Sequence, residues 1–431
     1  MPVVPDDTQD HETPAPHPER GSRRVGLLVA GGGALVLVAL AAVLVPWHPV
    51  PGGVPDPAPA SSVLTAQEIA RGEAFGTYAR WVSWSSLAVS LAVALWLGLG
   101  ARGAALVRRV PGPWWVQVPL GALAVLAIGR FVTLPFALAL WRRRVSEGLS
   151  TQGWSDWFAD LLLDLVVGAV GTAIALLVVI GCARRWRTWW PAIAGGIAAA
   201  LVVLGSFVYP VVVEPLFNDF TSLPDGQLRT EILAVADAEG VPVDDVLVAD
   251  ASRRTTALNA YVSGFGSTHR VVLYDTAVDG LDQDELLSVV AHELGHAKNH
   301  DVAVGTALGA AGALVGVGLL AVVVGAGPLR RRSGVGGLAD PAVVPLVLAL
   351  FAVGSFLVSP IENGISRQIE RRADVVALQT TDDPDAFIGL QRELAVRSVA
   401  DPTPNAWGQL WFGSHPTMLE RVATARRVAG E

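Results

Sequence analysis

The chain has 431 residues, 52% hydrophobic and only 16% charged, with a mean hydropathy of +0.47; soluble domains carry about 25% charged residues, so an ordinary soluble globule is excluded. A net charge of −8 and a pI near 5.5 exclude a nucleic-acid binder, which needs a basic patch or stripe. Cys182 is the single cysteine, which excludes a disulfide scaffold and reads as a small buried hydrophobe in an apolar run.

In chain order, residues 1–24 are Pro-rich and acidic, lack apolar periodicity, and read as a disordered tail. Apolar stretches of about 20 residues can cross roughly 30 Å of hydrocarbon. Seven follow the tail. The first, Val25–Val45, runs into a Pro-rich loop and reads as an uncleaved anchor rather than a signal peptide. Spans two to five are Trp81–Gly100, Trp114–Leu140, Ala159–Gly181 and Trp189–Val213, which makes residues 25–213 a membrane domain. Trp114, Trp115, Trp189 and Trp190 open two of these spans, as interfacial anchors do.

Residues 214–301 have the composition of a soluble segment. Within it, Leu228, Ile232, Leu233 and Val235 give Gln227–Glu239 a helical spacing, and Val246–Ala249 reads as a short strand. Leu258–Val262 and Arg270–Tyr274 flank Gly264 and Gly266, a hairpin signature that leaves His269 in the loop. Spans six and seven, Val302–Gly327 and Ala342–Ile361, lie within residues 302–361, and residues 362–431 are again soluble in composition. Arginines in short loops divide unevenly between the two sides of the membrane. Arg20, Arg23, Arg24, Arg102, Arg108, Arg109, Arg184, Arg185, Arg187, Arg330, Arg331 and Arg332 fall on one side; Arg71, Arg80, Arg142, Arg143 and Arg144 fall on the other. The positive-inside rule then puts the N-terminus in the cytoplasm and both soluble segments together outside.

The strongest local signal is His292-Glu293-Leu294-Gly295-His296. Asp282 and Glu285 form a capping pair that opens a helix through the motif. Spacing of four residues puts both imidazoles on one face, where they can share a single Zn²⁺ with Glu293 beside it as the base. A catalytic zinc needs a third protein ligand. Glu370 is the best candidate, with Asp374 one turn further on to accept the free N–H of a ligand histidine. The alternative for this pair is a solvated helix salt-bridged through Arg371 and Arg372. His300 competes as third ligand, although three imidazoles strung along one straight helix would be spread along its axis. His415, in Ser414-His415-Pro416, is either a hydrogen-bond donor to a developing oxyanion or a structural loop histidine.

Together these residues resemble the Ste24-type CAAX prenyl proteases, integral-membrane zinc metallopeptidases of the M48 group. The resemblance runs from about residue 64 to 427. It is dense in Pro215-Leu216-Phe217-Asn218, Asn259-Ala260-Tyr261, Arg270–Thr276 and Ala291–His296 with Lys298 and His300. It continues through Pro360, Asn363, Ser366-Arg367, Glu370, Ala373-Asp374, His415-Pro416 and Glu420-Arg421. It implies that His292, His296 and Glu370 bind the zinc, that Glu293 is the general base and that Asp374 supports a ligand. It also implies His415 as a transition-state donor, and Asn259 as part of an edge strand that holds extended substrate by strand addition. The implied fold is mostly α: a polytopic membrane protein of about seven transmembrane helices. A small α+β gluzincin-like catalytic domain is split around helices six and seven. The expected partners are a peptide or protein substrate, with or without a lipid anchor, and the bilayer, with no nucleic acid. Arg130, Asp160, Asp164 and Glu214 are polar groups at or near membrane depth, explained equally by an intramembrane chamber or by helix-packing pairs.

Two other readings compete. The HtpX-like quality-control proteases of the same group are shorter and have fewer spans. A transporter with a structural zinc would have no need of Glu293.

Overall fold

The computed structural model describes residues 18–264 and 269–430. The tail expected over residues 1–24 lies outside the described residues as far as residue 17, and from Pro18 onward the chain is helical. Helices α1 (Pro18–Leu44), α2 (Ala66–Gly98), α3 (Ala101–Arg108), α4 (Trp114–Ser146), α5 (Trp154–Arg185) and α6 (Trp190–Val208) come first. After β1 (Phe220–Ser222) follow α7 (Gln227–Glu239), β2 (Val243–Ala249), β3 (Ala260–Ser263), β4 (His269–Tyr274), α8 (Asp275–Gly280) and α9 (Gln283–Lys298). Next come α10 (Asp301–Val324), α11 (Gly327–Ser333) and α12 (Val344–Thr381). The chain closes with α13 (Pro384–Arg397), α14 (Ala406–Phe412) and α15 (Met418–Ala429).

Among the described residues, seven helices are long and apolar enough to cross a membrane. They are α1, α2, α4, α5, α6 with its continuation to Leu216, α10 and α12, in the order the hydropathy pattern predicts. Several outrun their apolar stretches. The second span was expected from Trp81, yet α2 begins at Ala66, where Thr65 and Glu68 form a capping box. Its charged first turns are held by ion pairs: Arg71 with Glu147 at 2.9 Å, Glu68 with Arg392 at 2.7 Å, and Arg80 with Asp401. Span seven, expected to stop at Ile361, continues as one helix to Thr381. The charges beyond Ile361 interrupt the hydropathy but not the helix, which ends only where Asp382 turns left-handed at φ 50°.

Pro360 lies inside α12 and has no N–H, so the Phe356 carbonyl loses its intrahelical partner. The indole Nε1–H of Trp411 donates to that carbonyl at 3.1 Å.

The four strands form one sheet in the order β1-β2-β4-β3. β2 and β4 are parallel in its centre, and β3 pairs antiparallel with β4 from Ala260↔Leu273 to Ser263↔Arg270. The predicted hairpin is therefore present, with residues 265–268 of its loop outside the described residues. His269, expected in the loop, instead starts β4 opposite Val243, and this pairing lengthens β2 beyond the predicted Val246–Ala249. Val246, Val271 and Leu273 of the sheet pack with Ile232 of α7 and with Leu286, Val290 and Leu294 of α9. That i, i+4, i+8 stripe fixes the rotation of α9. Its buried apolar face meets the sheet, and His292 and His296 lie on another face.

Residues 214–264, 269–301 and 382–430 sit at one end of the helices. Ala58 N–H donates to Leu419 O at 3.0 Å, and Thr151 N–H to Arg254 O at 3.2 Å. At the other end Arg108 and Arg184 donate to the carbonyls of Gly334 and Ala339 at 2.6 and 2.7 Å. Cys182 is buried in the apolar core between the helices, as its setting predicts.

Candidate active site

α9 starts as its capping pair predicts, with Asp282 N–H donating to the Glu285 carboxylate at 3.3 Å. Two turns later His292 and His296 have ring centroids 4.8 Å apart and planes nearly perpendicular. α12 brings Glu370 to them. One ligand-type atom from each of His292, His296 and Glu370 lies within 4.8 Å of the others. His292 Nε2 is 3.2 Å from Glu370 Oε2, and His296 Nε2 is 3.7 Å from Glu370 Oε1.

The opposite ring nitrogens are held from behind. His292 Nδ1 is 3.0 Å from Asp374 Oδ1, and His296 Nδ1 is 2.9 Å from Asp301 Oδ2. Each of these carboxylates is held by an arginine in turn. Arg421 Nε donates to both Asp374 oxygens at 3.0 and 3.1 Å, and Arg372 pairs with Asp301. Burial alone would lower the pKa of His292, but hydrogen bonds to Asp374 and Glu370 outweigh it and raise the value to about 9. Two imidazoles and a carboxylate that converge, amid surplus negative charge and with their outer nitrogens anchored, fit a divalent cation by donor set.

Glu293 lines the same cleft of about 410 Å³, along with Tyr209, Glu214, Asn218, Asn259, Tyr261 and His415. Burial pushes its carboxyl above the ordinary carboxylate range. His415 arrives from the loop after α14, with Nε2 3.4 Å from Glu370 Oε1. Asn259 immediately precedes the edge strand β3, and its carbonyl accepts from Tyr274 N–H at 3.0 Å.

His300 is not brought into the cluster. α9 ends at Lys298, and His300 adopts a left-handed φ of 55° as the cap of α10, exposed to solvent. The straight helix that would have carried a third imidazole stops before it. Arg371 and Arg372 do not neutralise Glu370 and Asp374 either; they face Glu420 and Asp301.

Sequence reasoning missed Asp301 altogether and gave Arg421 no role. The one signal for Asp301 was a lone acid at the mouth of an otherwise apolar span, five residues after His296. The polar groups at membrane depth are paired: Arg130 lies 3.7 Å from Asp164 between α4 and α5, and Asp160 lies 3.5 Å from Arg254. Asp164 and Arg254 also line a cavity of about 340 Å³ that shares Tyr209, Asn218 and Tyr274 with the cleft.

Known proteins resemble the chain over most of its length. Residues 222–429 match peptidase family M48, and residues 64–219 match the CAAX prenyl protease N-terminal region of five membrane helices. An uncharacterized metalloprotease of Bacillus subtilis, YhfN, is 31% identical over 311 residues, 72% of this chain and 73% of that protein. The CAAX prenyl protease 1 homolog of Oryza sativa is 31% identical over 62% of both chains, and that of Arabidopsis thaliana 35% over 52% of both. The chain thus spans between half and two thirds of these plant relatives. The crystal structure of S. mikatae Ste24p shares the fold, with a TM-score of 0.73 over 98% of this chain and all of that one, at 18% identity.

Fold and comparisons define a multi-pass membrane metallopeptidase acting on peptide or protein substrates. The chain belongs to peptidase family M48, in its Ste24-type branch.

Proposed function

We propose that His292, His296 and Glu370 hold one Zn²⁺ per chain and that the protein cleaves extended peptide segments close to the membrane surface. The observation that carries this reading is the convergence of both Nε2 atoms on the Glu370 carboxylate while both Nδ1 atoms face carboxylates. Bound zinc supplies Lewis-acid polarisation of the scissile carbonyl and brings the pKa of water towards about 7. Glu293 takes the proton of the attacking water and delivers it to the leaving amine. Asp374 and Asp301 fix the tautomer of His292 and His296, and His415 donates to the developing oxyanion. β3 is the edge strand of the sheet and follows Asn259, so an extended substrate can add beside it as a strand. On this reading residues 214–301 and 362–431 act as one catalytic domain interrupted by spans six and seven. The plant relatives carry the name CAAX prenyl protease, which supports a lipidated C-terminal segment as one substrate class.

The test is cleavage of quenched fluorescent peptides, with and without a lipidated cysteine, by detergent-purified protein. Chelation is expected to abolish cleavage and one equivalent of zinc to restore it, with about one zinc per chain by mass spectrometry. Full activity after complete metal removal overturns the reading. Faster cleavage of lipidated peptides supports the prenyl-protease class, and equal rates refute it.

Asp301→Asn is expected to weaken zinc binding by about 10–100-fold while the protein still folds, because His296 loses its anchor. Competition with a fluorescent chelator measures it; an unchanged affinity removes Asp301 from the site.

The arginine distribution supports a site outside the cytoplasm. A cysteine at exposed Asp385, on a Cys182→Ala background, is expected to react with an impermeant maleimide added to intact cells. Reaction only after lysis reverses the orientation.

A further inference from the structure

α14 has the sequence Ala-Trp-Gly-Gln-Leu-Trp-Phe and no buried residue. Trp407 is 67% exposed, and Leu410 and Phe412 are exposed beside it. Trp411 and one edge of Phe412 engage two membrane-spanning helices. Trp411 stacks between Trp407 and Phe356 of α12, at 5.5 and 5.4 Å, and Phe412 meets Trp84 of α2 edge-on at 4.9 Å. Phe351, Leu357 and Ile361 of α12 and Trp81 of α2 are exposed apolar residues of the same two spanning helices. Tryptophan is the residue of membrane–water boundaries, and short helices with one aromatic face lie along them.

The attachment is specific. The Phe356 carbonyl, vacated by Pro360, has no water to turn to within hydrocarbon. The Trp411 indole fills that vacancy, so α14 is pinned at one point along α12. Asn363 and Arg367, further along α12, donate to Leu410 O at 3.4 Å and to Gln409 O at 3.1 Å. Arg367 also donates to Gly413 O at 2.5 Å. Gln409 Nε2 then donates to the carbonyl of His415 at 2.7 Å. A short, bonded path leads from the Pro360 notch to the backbone of His415, whose imidazole faces Glu370.

We propose that α14 lies in the headgroup–hydrocarbon boundary with Trp407, Leu410 and Phe412 in lipid, and that this seat positions His415 over the His292–His296–Glu370 cluster. Its kinetic half rests on the reading of His415 as a transition-state donor. The bilayer is then a structural support of the site, and Trp407 and Trp411 are positioning residues.

Two measurements decide it. With Trp407→Cys on the Cys182→Ala background, a bimane label in phosphatidylcholine nanodiscs should be quenched by lipid carrying a nitroxide at acyl carbon 5. The same label at Asp385→Cys should not be. Equal quenching at the two positions overturns the lipid seat. In the same discs, Trp411→Phe keeps an aromatic ring in the stack but has no N–H donor. The loss of the donor, together with the smaller stacking surface, is expected to lower kcat about tenfold with KM within about twofold, and to add less than about twofold on a His415→Ala background. Trp407→Asp, which leaves the indole of Trp411 in place, passes through the same cycle as a second variant, and Trp407→Phe should restore the rate. A kcat loss of equal size with and without His415 overturns the link to that residue. If His415→Ala itself leaves kcat unchanged, the reading of His415 fails and takes the kinetic half with it. The quenching result stands apart from both.

Discussion

Glu293→Gln is expected to lower kcat by about 10³–10⁴-fold with little change in KM, because a positioned general base contributes about 10²–10⁴-fold and no other carboxylate has its place in the cleft. The amide keeps the size of the side chain but cannot accept the proton of the attacking water. Glu293 is not one of the three converging groups, so zinc content and melting temperature should match the parent protein. Quenched-peptide kinetics measure the first quantity and metal analysis the second. Residual activity within about tenfold of the parent would remove Glu293 from the mechanism. The same variant separates a protease from a transporter with a structural zinc, since transport would survive the change.

Arg421→Ala is expected to be the most destabilising single change near the site. Asp374 is only 1% exposed, and Arg421 grips it through Nε and Nη2 together. Removing one partner of a buried pair leaves the other charge uncompensated, at a cost of about 3–5 kcal/mol. Arg421→Lys should recover only part of that, because an ammonium cannot reproduce the planar two-nitrogen grip. Thermal unfolding in detergent, compared among the three proteins, tests both statements. An unchanged midpoint for Arg421→Ala would show that Asp374 is not held this way. The loss should also appear in metal affinity, since Asp374 faces Nδ1 of His292.

Much of this architecture can be read from the chain, for identifiable reasons. The seven spans follow from runs of apolar residues, a signal that needs no tertiary context. The helix carrying His292 and His296 follows from its cap and its stripe of Leu286, Val290 and Leu294. Helix ends were harder. Hydropathy marks where lipid stops, whereas a helix stops where its hydrogen bonds run out, and in α2 and α12 these points are far apart. For α2 the capping box at Thr65 and Glu68 was a usable sign; for α12 it was the pair Asp383-Pro384. Glu370 and Asp374 could be found by their spacing of four together with the family resemblance. Asp301 and Arg421 could not be assigned, because the backing of an imidazole depends on which distant elements meet. Asp301 is five residues from the His296 it holds, across a helix break, and Arg421 is 47 residues from Asp374.

The unbroken course of α12 makes it a lever. Its 38 residues extend about 57 Å at 1.5 Å per residue, from within the bilayer to the far side of the cleft. Glu370 stands about 21 Å beyond Phe356 along this axis. Spanning helices answer a mismatch in membrane thickness by tilting, and a tilt of about 5° would carry Glu370 sideways by about 2 Å. His292 and His296 belong to α9, which packs on α12 through Ala291 against Ala377 and Leu378 and is bonded to it through Asp374, so they follow. A change of tilt therefore carries His292, His296 and Glu370 together, and the packing of α9 on α12 keeps the three groups at fixed spacing as the bilayer changes.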